Sequence, residues 1–189
     1  MKNKFAFIFL FTLSFAFGQG EYRISNFSLA IKGTSNLHDW ESSAKEVRAN
    51  SSMTVAAGVL KSIQSLQVEI PVKMIKSAKG SIMDNKTYDA LKANSNPNIV
   101  YKLEKVTGLN KKGDAYDINT SGYLSIAGAT NKIDLYVSGK VGGDGSLTFS
   151  GSKKLKMTDY KIKPPTALLG TMTTGDEIEI VFQVSLKQF

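Results

Sequence analysis

The chain has 189 residues, a formal charge of +8, one histidine and no cysteine. The missing thiols exclude a disulfide framework, thiolate metal sites, a cysteine nucleophile and a lipid-modified cysteine anchor. A metal centre would need His38 plus several carboxylates or carbonyls, and no such cluster is spaced for it.

Lys2 and Lys4 are followed by an apolar run of thirteen from Phe5 to Phe17, and Ala16-Phe17-Gly18 forms a small-x-small cleavage site. This is the pattern of a signal peptide over 1–18, cleaved near Gly18 to leave a single domain over 19–189 that is periplasmic or secreted. The run is too short to span a bilayer, and no later apolar run reaches about eighteen residues, so stable membrane insertion is not expected. Removal of Lys2 and Lys4 lowers the formal charge from +8 to about +6. The lysines are scattered in pairs such as Lys111-Lys112 and Lys153-Lys154. No arginine cluster or nucleic-acid motif accompanies them, so the charge reads as a solvated basic surface, with an anionic lipid or acidic polymer ahead of nucleic acid as a partner.

Phe27, Leu29 and Ile31 alternate with polar or small residues as in a strand with one face to the core, and Gly33-Thr34-Ser35-Asn36 has turn composition. Leu37-His38-Asp39-Trp40 follows, and 42–53 has no clear register. In 63–75, Leu66, Val68, Ile70, Val72 and Met74 share a face, with Pro71 on the polar face, a position for an edge or a bulge. The stretch from Gly80 to Leu103 breaks the alternation and reads as one short α-helix over about 84–93. Asp84 is its expected cap, Met83 is expected to staple against Tyr88, and Thr87, Tyr88 and Leu91 form its buried face. Asn96-Pro97 ends it, and Ile99, Tyr101 and Leu103 open the next strand.

Further strands follow: Tyr116 to Ile126, Ile133 to Val137, Leu147-Phe149, Leu155-Met157, and a last one with Ile178, Ile180, Phe182, Val184 and Leu186 facing in. Gly142-Gly143-Asp144-Gly145 is a hairpin signal, and 164–170 reads as a loop with one helical turn that could cover an opening. The pattern Leu29-x-Ile31-x-Gly33-x-x-Asn36-x-x-Asp39 recurs as Leu124-x-Ile126-x-Gly128-x-x-Asn131-x-x-Asp134. Read as two equivalent hairpins, it turns His38 and Trp40 inward side by side and Asp39 outward.

Eight or so strands with antiparallel spacing and one helix predict an all-β fold closed into a barrel, wide enough to be filled or to hold one ligand. No cofactor fingerprint, phosphate loop or GxSxG elbow occurs. His38 is read as a hydrogen-bonded core imidazole, a polar contact to a ligand head group, or the base of a hydrolase. Phe27, Trp40, Met74, Met83, Tyr88 and Leu91, with Tyr101, Met157, Leu168, Leu169 and Met172, are large or adaptable apolar residues suited to lining a tunnel for a chain-like ligand or, taken singly, to core packing.

Four segments carry a resemblance: HDW after the Gly-Thr-Ser turn at 33–40, MDNKTYDALKANSNPNIVYKL at 83–103, GYLSIAGATNKIDLYVSG at 122–139 and GDEIEIVFQVSL at 175–186. Together they resemble the YceI-like family over almost the whole mature chain. The resemblance implies a lipocalin-like antiparallel β-barrel that is exported and holds a polyisoprenoid or other long-chain lipid without acting as an enzyme. It points to Met83, Tyr88 and Leu91 as ligand contacts, and it leaves open whether the chain pairs with itself as a homodimer. The rival expectations are a secreted hydrolase using His38 and a basic surface-interaction module.

Overall fold

Alternation with a period of two leaves the backbone little choice but long strands, and the strands here coil until the sheet meets itself. The computed structural model describes residues 19–167 and 170–189. The strands are β1 (Gln19–Ser35), β2 (Trp40–Ala44), β3 (Arg48–Ala56), β4 (Val59–Pro71), β5 (Ile75–Ser77), β6 (Asn98–Lys112), β7 (Ala115–Ile126), β8 (Ala129–Val141), β9 (Leu147–Lys156), β10 (Thr166–Ala167) and β11 (Met172–Gln188), with one helix, α1 (Ser81–Ala90), between β5 and β6.

All pairings are antiparallel, and β1 closes the sheet by pairing with β11 from Tyr22–Gln188 to Ser35–Thr174. β2 and β3 share one position in the wall, because β1 pairs with β3 through Gln19 to Tyr22 and with β2 through Ala30 to Gly33. The result is an eight-stranded closed barrel in the order β1, β2/β3, β4, β6, β7, β8, β9, β11. Register shifts in β1 at Ile24/Asn26 and Gly33/Ser35 supply the local bends that closure requires.

Cross-strand partners share a face, so the pairing assigns the interior directly. Gly33 is opposite Trp40 and Ile178, and Trp40 therefore points inward. A Cβ on Gly33 would collide with the indole, whose Nε1 donates to the Thr34 carbonyl at 3.0 Å. Gly122 is the second such place: the Tyr101 ring crosses it, and a Cβ there would lie 2.6 Å from both the Tyr101 hydroxyl and the Lys102 carbonyl oxygen.

Several sequence expectations are corrected. The helix begins three residues earlier than its apolar pattern implies, with Gly80 at φ 85° as its cap. Asp84 lies within the first turn and accepts the Ser77 N–H at 2.7 Å, pairing with Lys76 at 3.4 Å. Only the C-terminal end of the helix docks by apolar contact, through Ala90 and Leu91; its other contacts are polar, with the Tyr88 hydroxyl donating towards the Lys73 carbonyl at 2.8 Å, Lys76 donating to that hydroxyl, and Ile82 exposed. The strand expected to run through Val72 and Met74 ends at Pro71, the residue beyond which a 3₁₀ turn (Val72–Met74) begins.

The internal echo is not structural. Gly128 sits at φ 86° in the β7–β8 turn, whereas Gly33 lies within a strand under Trp40. His38 falls in the β1–β2 loop and is exposed, so only Trp40 of the expected inward pair turns in. Two segments read separately, Leu147-Phe149 and Leu155-Met157, belong to the one strand β9 and the 3₁₀ turn after it (Met157–Tyr160). The helical turn expected in 164–170 centres on Leu168 and Leu169, which lie outside the described residues; Thr166 and Ala167 before them pair with Thr173 and Met172.

The two glycines separate in a stability measurement. Gly33→Ala should lower urea stability by about 1–3 kcal/mol by displacing a movable ring, with a shift in the emission of the single tryptophan. Gly122→Ala meets backbone as well, which cannot rotate away, and should cost more; equal losses would contradict this packing. A second outcome concerns the β8–β9 turn, where the Asp144 Oδ1 accepts the Ser146 hydroxyl at 2.6 Å and the Ser146 N–H at 3.0 Å. These bonds, with Lys187 nearby, hold its carboxyl at about 2 instead of 3.8. A depressed carboxyl stabilises the fold above its unfolded value and loses that contribution as pH falls through the folded one. Between pH 3.8 and 2 the wild type should therefore lose stability more steeply than Asp144→Asn, read from urea midpoints along a pH series.

Candidate functional site: the barrel interior

The interior is packed at its two ends and looser between them. At the end that carries the β3–β4, β6–β7 and β8–β9 turns, Tyr22, Met53, Tyr116, Ile118, Leu147 and Leu186 are each at most 3% exposed and form one cluster. There β4 and β6 have already parted, since their pairing stops at Gln67–Lys102. The gap is bridged by the Tyr116 hydroxyl, which accepts the Leu60 N–H at 3.0 Å. At the opposite end Met157, Tyr160 and Ile162 are buried against Leu124, Ile126 and Leu155, and Ala90 and Leu91 from the end of α1 pack on this cluster.

Between the two, the inward rows stay accessible. Ile178, Ile180, Phe182 and Val184 of β11 are only half-buried, and so are Leu66, Val68 and Leu103 across the barrel. An apolar side chain that faces the inside of a closed barrel and still meets solvent borders a space at least the width of a water molecule. Two polar groups reach this region. The Tyr101 hydroxyl, pushed up by burial, lies 3.3 Å from the Thr120 Oγ1, which in turn approaches the Leu135 carbonyl at 3.4 Å.

The open end is stitched by side chains rather than by strand pairing. Asn36 donates to the Thr171 carbonyl at 2.9 Å and accepts the Thr173 N–H at 2.9 Å, fastening the β1–β2 loop to the start of β11. Lys86 of α1 donates to the Thr166 carbonyl at 3.0 Å. Asp176 accepts the Thr158 hydroxyl at 2.6 Å and its N–H at 2.9 Å, which lowers the carboxyl and anchors the 3₁₀ turn after β9.

The residues expected to line a ligand tunnel divide accordingly. Tyr101, Met157 and Leu91 join the cluster at the open end, and Phe27 packs with Leu29, Ala44 and Val47 on the wall beside Ile180 and Phe182. Trp40 is half-buried over Gly33 at the rim, and Met172 is half-buried opposite Ala167. Met83 is half-buried on α1; Met74 lies in the 3₁₀ turn, where its carbonyl accepts the Lys45 N–H; and Tyr88 is spent on the same connection, so these three are not gathered with the barrel rows. His38 is exposed, its Nδ1 lying 2.9 Å from the Asp39 carbonyl oxygen. Leu168 and Leu169 lie outside the described residues. Among the described residues no group of three potential ligands comes together to hold a metal ion, and no helix is long and apolar enough to cross a membrane.

Apart from Tyr101, sequence reasoning passed over the mid-barrel rows of β4, β6 and β11 as site residues, although their alternation is a plain signal in the chain. It also missed Lys153. That residue pairs with Ile180 and so belongs to the inward row of β9, with Phe149, Gly151 and Leu155.

Comparison with known proteins agrees with this architecture. No curated protein matches the chain in sequence. Among solved structures it is similar to BcnA of Burkholderia cenocepacia (TM-score 0.66, 17% identity, covering 84% of this chain and 95% of that one). It is also similar to a polyisoprenoid binding domain from Saccharophagus degradans implicated in plant cell wall breakdown (TM-score 0.70, 11% identity, 90% and 99% covered). A third similar structure is the YCEI protein of Campylobacter jejuni (TM-score 0.59, 22% identity, 78% and 84% covered). At these identities the likeness speaks for the fold. The family model described as the YceI-like domain matches residues 16–186, nearly the whole chain, and the protein therefore belongs to the YceI-like family.

Proposed function

We propose that this protein is an exported, non-enzymatic carrier that encloses a long-chain apolar ligand, a polyisoprenoid or another lipid, in its barrel. One observation carries the reading: inward-facing apolar side chains in the middle of the barrel still border open space, while one end is closed by a buried cluster and a second cluster lines the other. A hollow lined by Ile178, Ile180, Phe182 and Leu103 offers a tail the same contacts that a core would offer a side chain. Each methylene moved from water into it gains about 0.8 kcal/mol, so long chains are favoured over short ones and similar chains are poorly distinguished. The binding activity named for the S. degradans domain is consistent with this use of the fold. Export rests on the signal-peptide pattern of 1–18.

Protein purified from the envelope of an expressing bacterium should begin near residue 19 and release near-stoichiometric long-chain lipid on solvent extraction, read by mass spectrometry. Recovery without lipid from an envelope rich in candidate chains would sink the reading. Ile180→Trp provides the structural control. In a hollow barrel it should displace most of the lipid with little change in thermal midpoint, whereas in a solid core it would cost about 1–3 kcal/mol. His38→Ala should leave lipid content unchanged, because the imidazole lies outside the barrel.

A further inference from the structure

The barrel wall is not zipped along its whole length. β7 and β8 pair over twelve positions, from Ala115–Lys140 to Ile126–Ala129, and β9 pairs with β11 from Glu177–Lys156 to Leu186–Leu147. Between β8 and β9, however, pairing covers only Val137–Gly151 to Val141–Leu147. Beyond Val137 the two strands diverge, and the divergence opens a cleft of about 800 Å³.

Its lining joins two kinds of surface. Ile133 and Leu155 belong to or pack on the cluster at the barrel's open end, so the floor of the cleft is continuous with the interior. Lys132, Lys153, Lys154 and Lys156 line it together with Asp134, Asp159 and Glu177. Two of these lysines already have carboxylate partners: Lys132 meets Glu104 at 2.6 Å, and Lys154 meets Glu177 at 3.3 Å. Asp134 and Glu177 occupy outward positions, opposite Ser121 and Lys156. Lys153 alone of the four lysines is on the inward row, half-buried, and its Nζ rests on a neutral group, the Asp134 carbonyl, at 2.9 Å across the open seam. Deeper in the cleft the Tyr160 hydroxyl is fully buried; the Asn131 side chain lies towards it but donates to the Asp159 carbonyl at 2.8 Å, and the hydroxyl makes no well-formed hydrogen bond. A buried hydroxyl without a well-formed partner is costly, and one that lines the same cleft as an ammonium with donors to spare is placed for an oxygen-rich anion.

We propose that the unzipped β8–β9 seam binds the anionic head group of the ligand, a phosphate or a carboxylate, through Lys153 and the Tyr160 hydroxyl, with the tail passing between Ile133 and Leu155 into the barrel. The proposal rests on the lipid-carrier reading and adds the chemistry of the head and the side of the barrel on which it lies. Lys153 then exchanges a neutral carbonyl for a charged partner, and Tyr160 gains the partner it lacks.

The test compares farnesyl phosphate with farnesol, which share a tail and differ only at the head, by titration of delipidated protein. Wild type should bind the phosphate about tenfold more tightly, the scale of one charge-assisted hydrogen bond. Lys153→Met should erase that advantage while leaving farnesol affinity and the thermal midpoint unchanged. Tyr160→Phe removes a hydroxyl that makes no well-formed hydrogen bond in the fold, so it should weaken the phosphate and leave farnesol affinity unchanged. Equal affinity of wild type for the two probes, or a phosphate preference that survives both variants, overturns the head-group site while leaving the carrier reading intact. Binding of neither probe overturns both. Inorganic phosphate alone should show no Lys153-dependent binding; if it binds as well as farnesyl phosphate, the seam is a site for a free oxyanion and the proposal fails.

Discussion

The constraint beneath the whole structure is the crowding of large side chains on the inner surface of a narrow tube. Eight strands leave an interior in which every large ring needs a place where its neighbour gives room. The chain meets this by setting a glycine under an aromatic ring: Gly33 beneath Trp40, Gly122 beneath Tyr101, and Gly151 beneath Phe182, whose Cζ is 3.0 Å from where a Cβ would be. Each ring thereby sits against backbone that carries no side chain of its own.

A tube also needs ends. One is sealed mainly by apolar burial, where β3–β4 and β6–β7 lean apart and the gap between them fills with Tyr116, Ile118 and Leu60. At the other, loops of irregular backbone cannot pair as strands do, and their polar groups are satisfied by Asn36, Lys86, Asp84 and Asp176 instead. The apolar end is the one that should resist opening. Single hydrogen bonds to exposed partners contribute little each, so the stitched end is where a large ligand could be admitted or lost at small cost.

Much of this was legible in the sequence because alternation carries both strand and face. The alternation of β11 gives its inward row intact, and it puts Tyr116, Ile118, Leu124 and Ile126 on one side of β7. The helix was misplaced for a reason that apolar spacing cannot reveal. It is held by Asp84 and Tyr88 acting on backbone groups of the preceding turn, so its start obeys Gly80 and not a hydrophobic period. The matched pattern of letters implies an inward His38, yet Gly33 is a paired strand residue under Trp40 and Gly128 is the positive-φ residue of a turn. Lys153 was counted with Lys154 as one exposed pair; its parity placed it on the other face, but only pairing with Ile180 makes that parity count.

The short β8–β9 ladder has one more effect. Backbone amides and carbonyls that find no neighbour along the seam are an invitation to strands from other molecules, the usual route by which sheet proteins stick to one another. The outward positions flanking this stretch are Lys132 and Asp134 on one strand and Lys154 and Lys156 on the other. A foreign strand laid into the seam would meet these charges on its outer flank and would have to bury the inward-pointing Lys153, so the residues that border the cleft also keep each molecule apart from its copies.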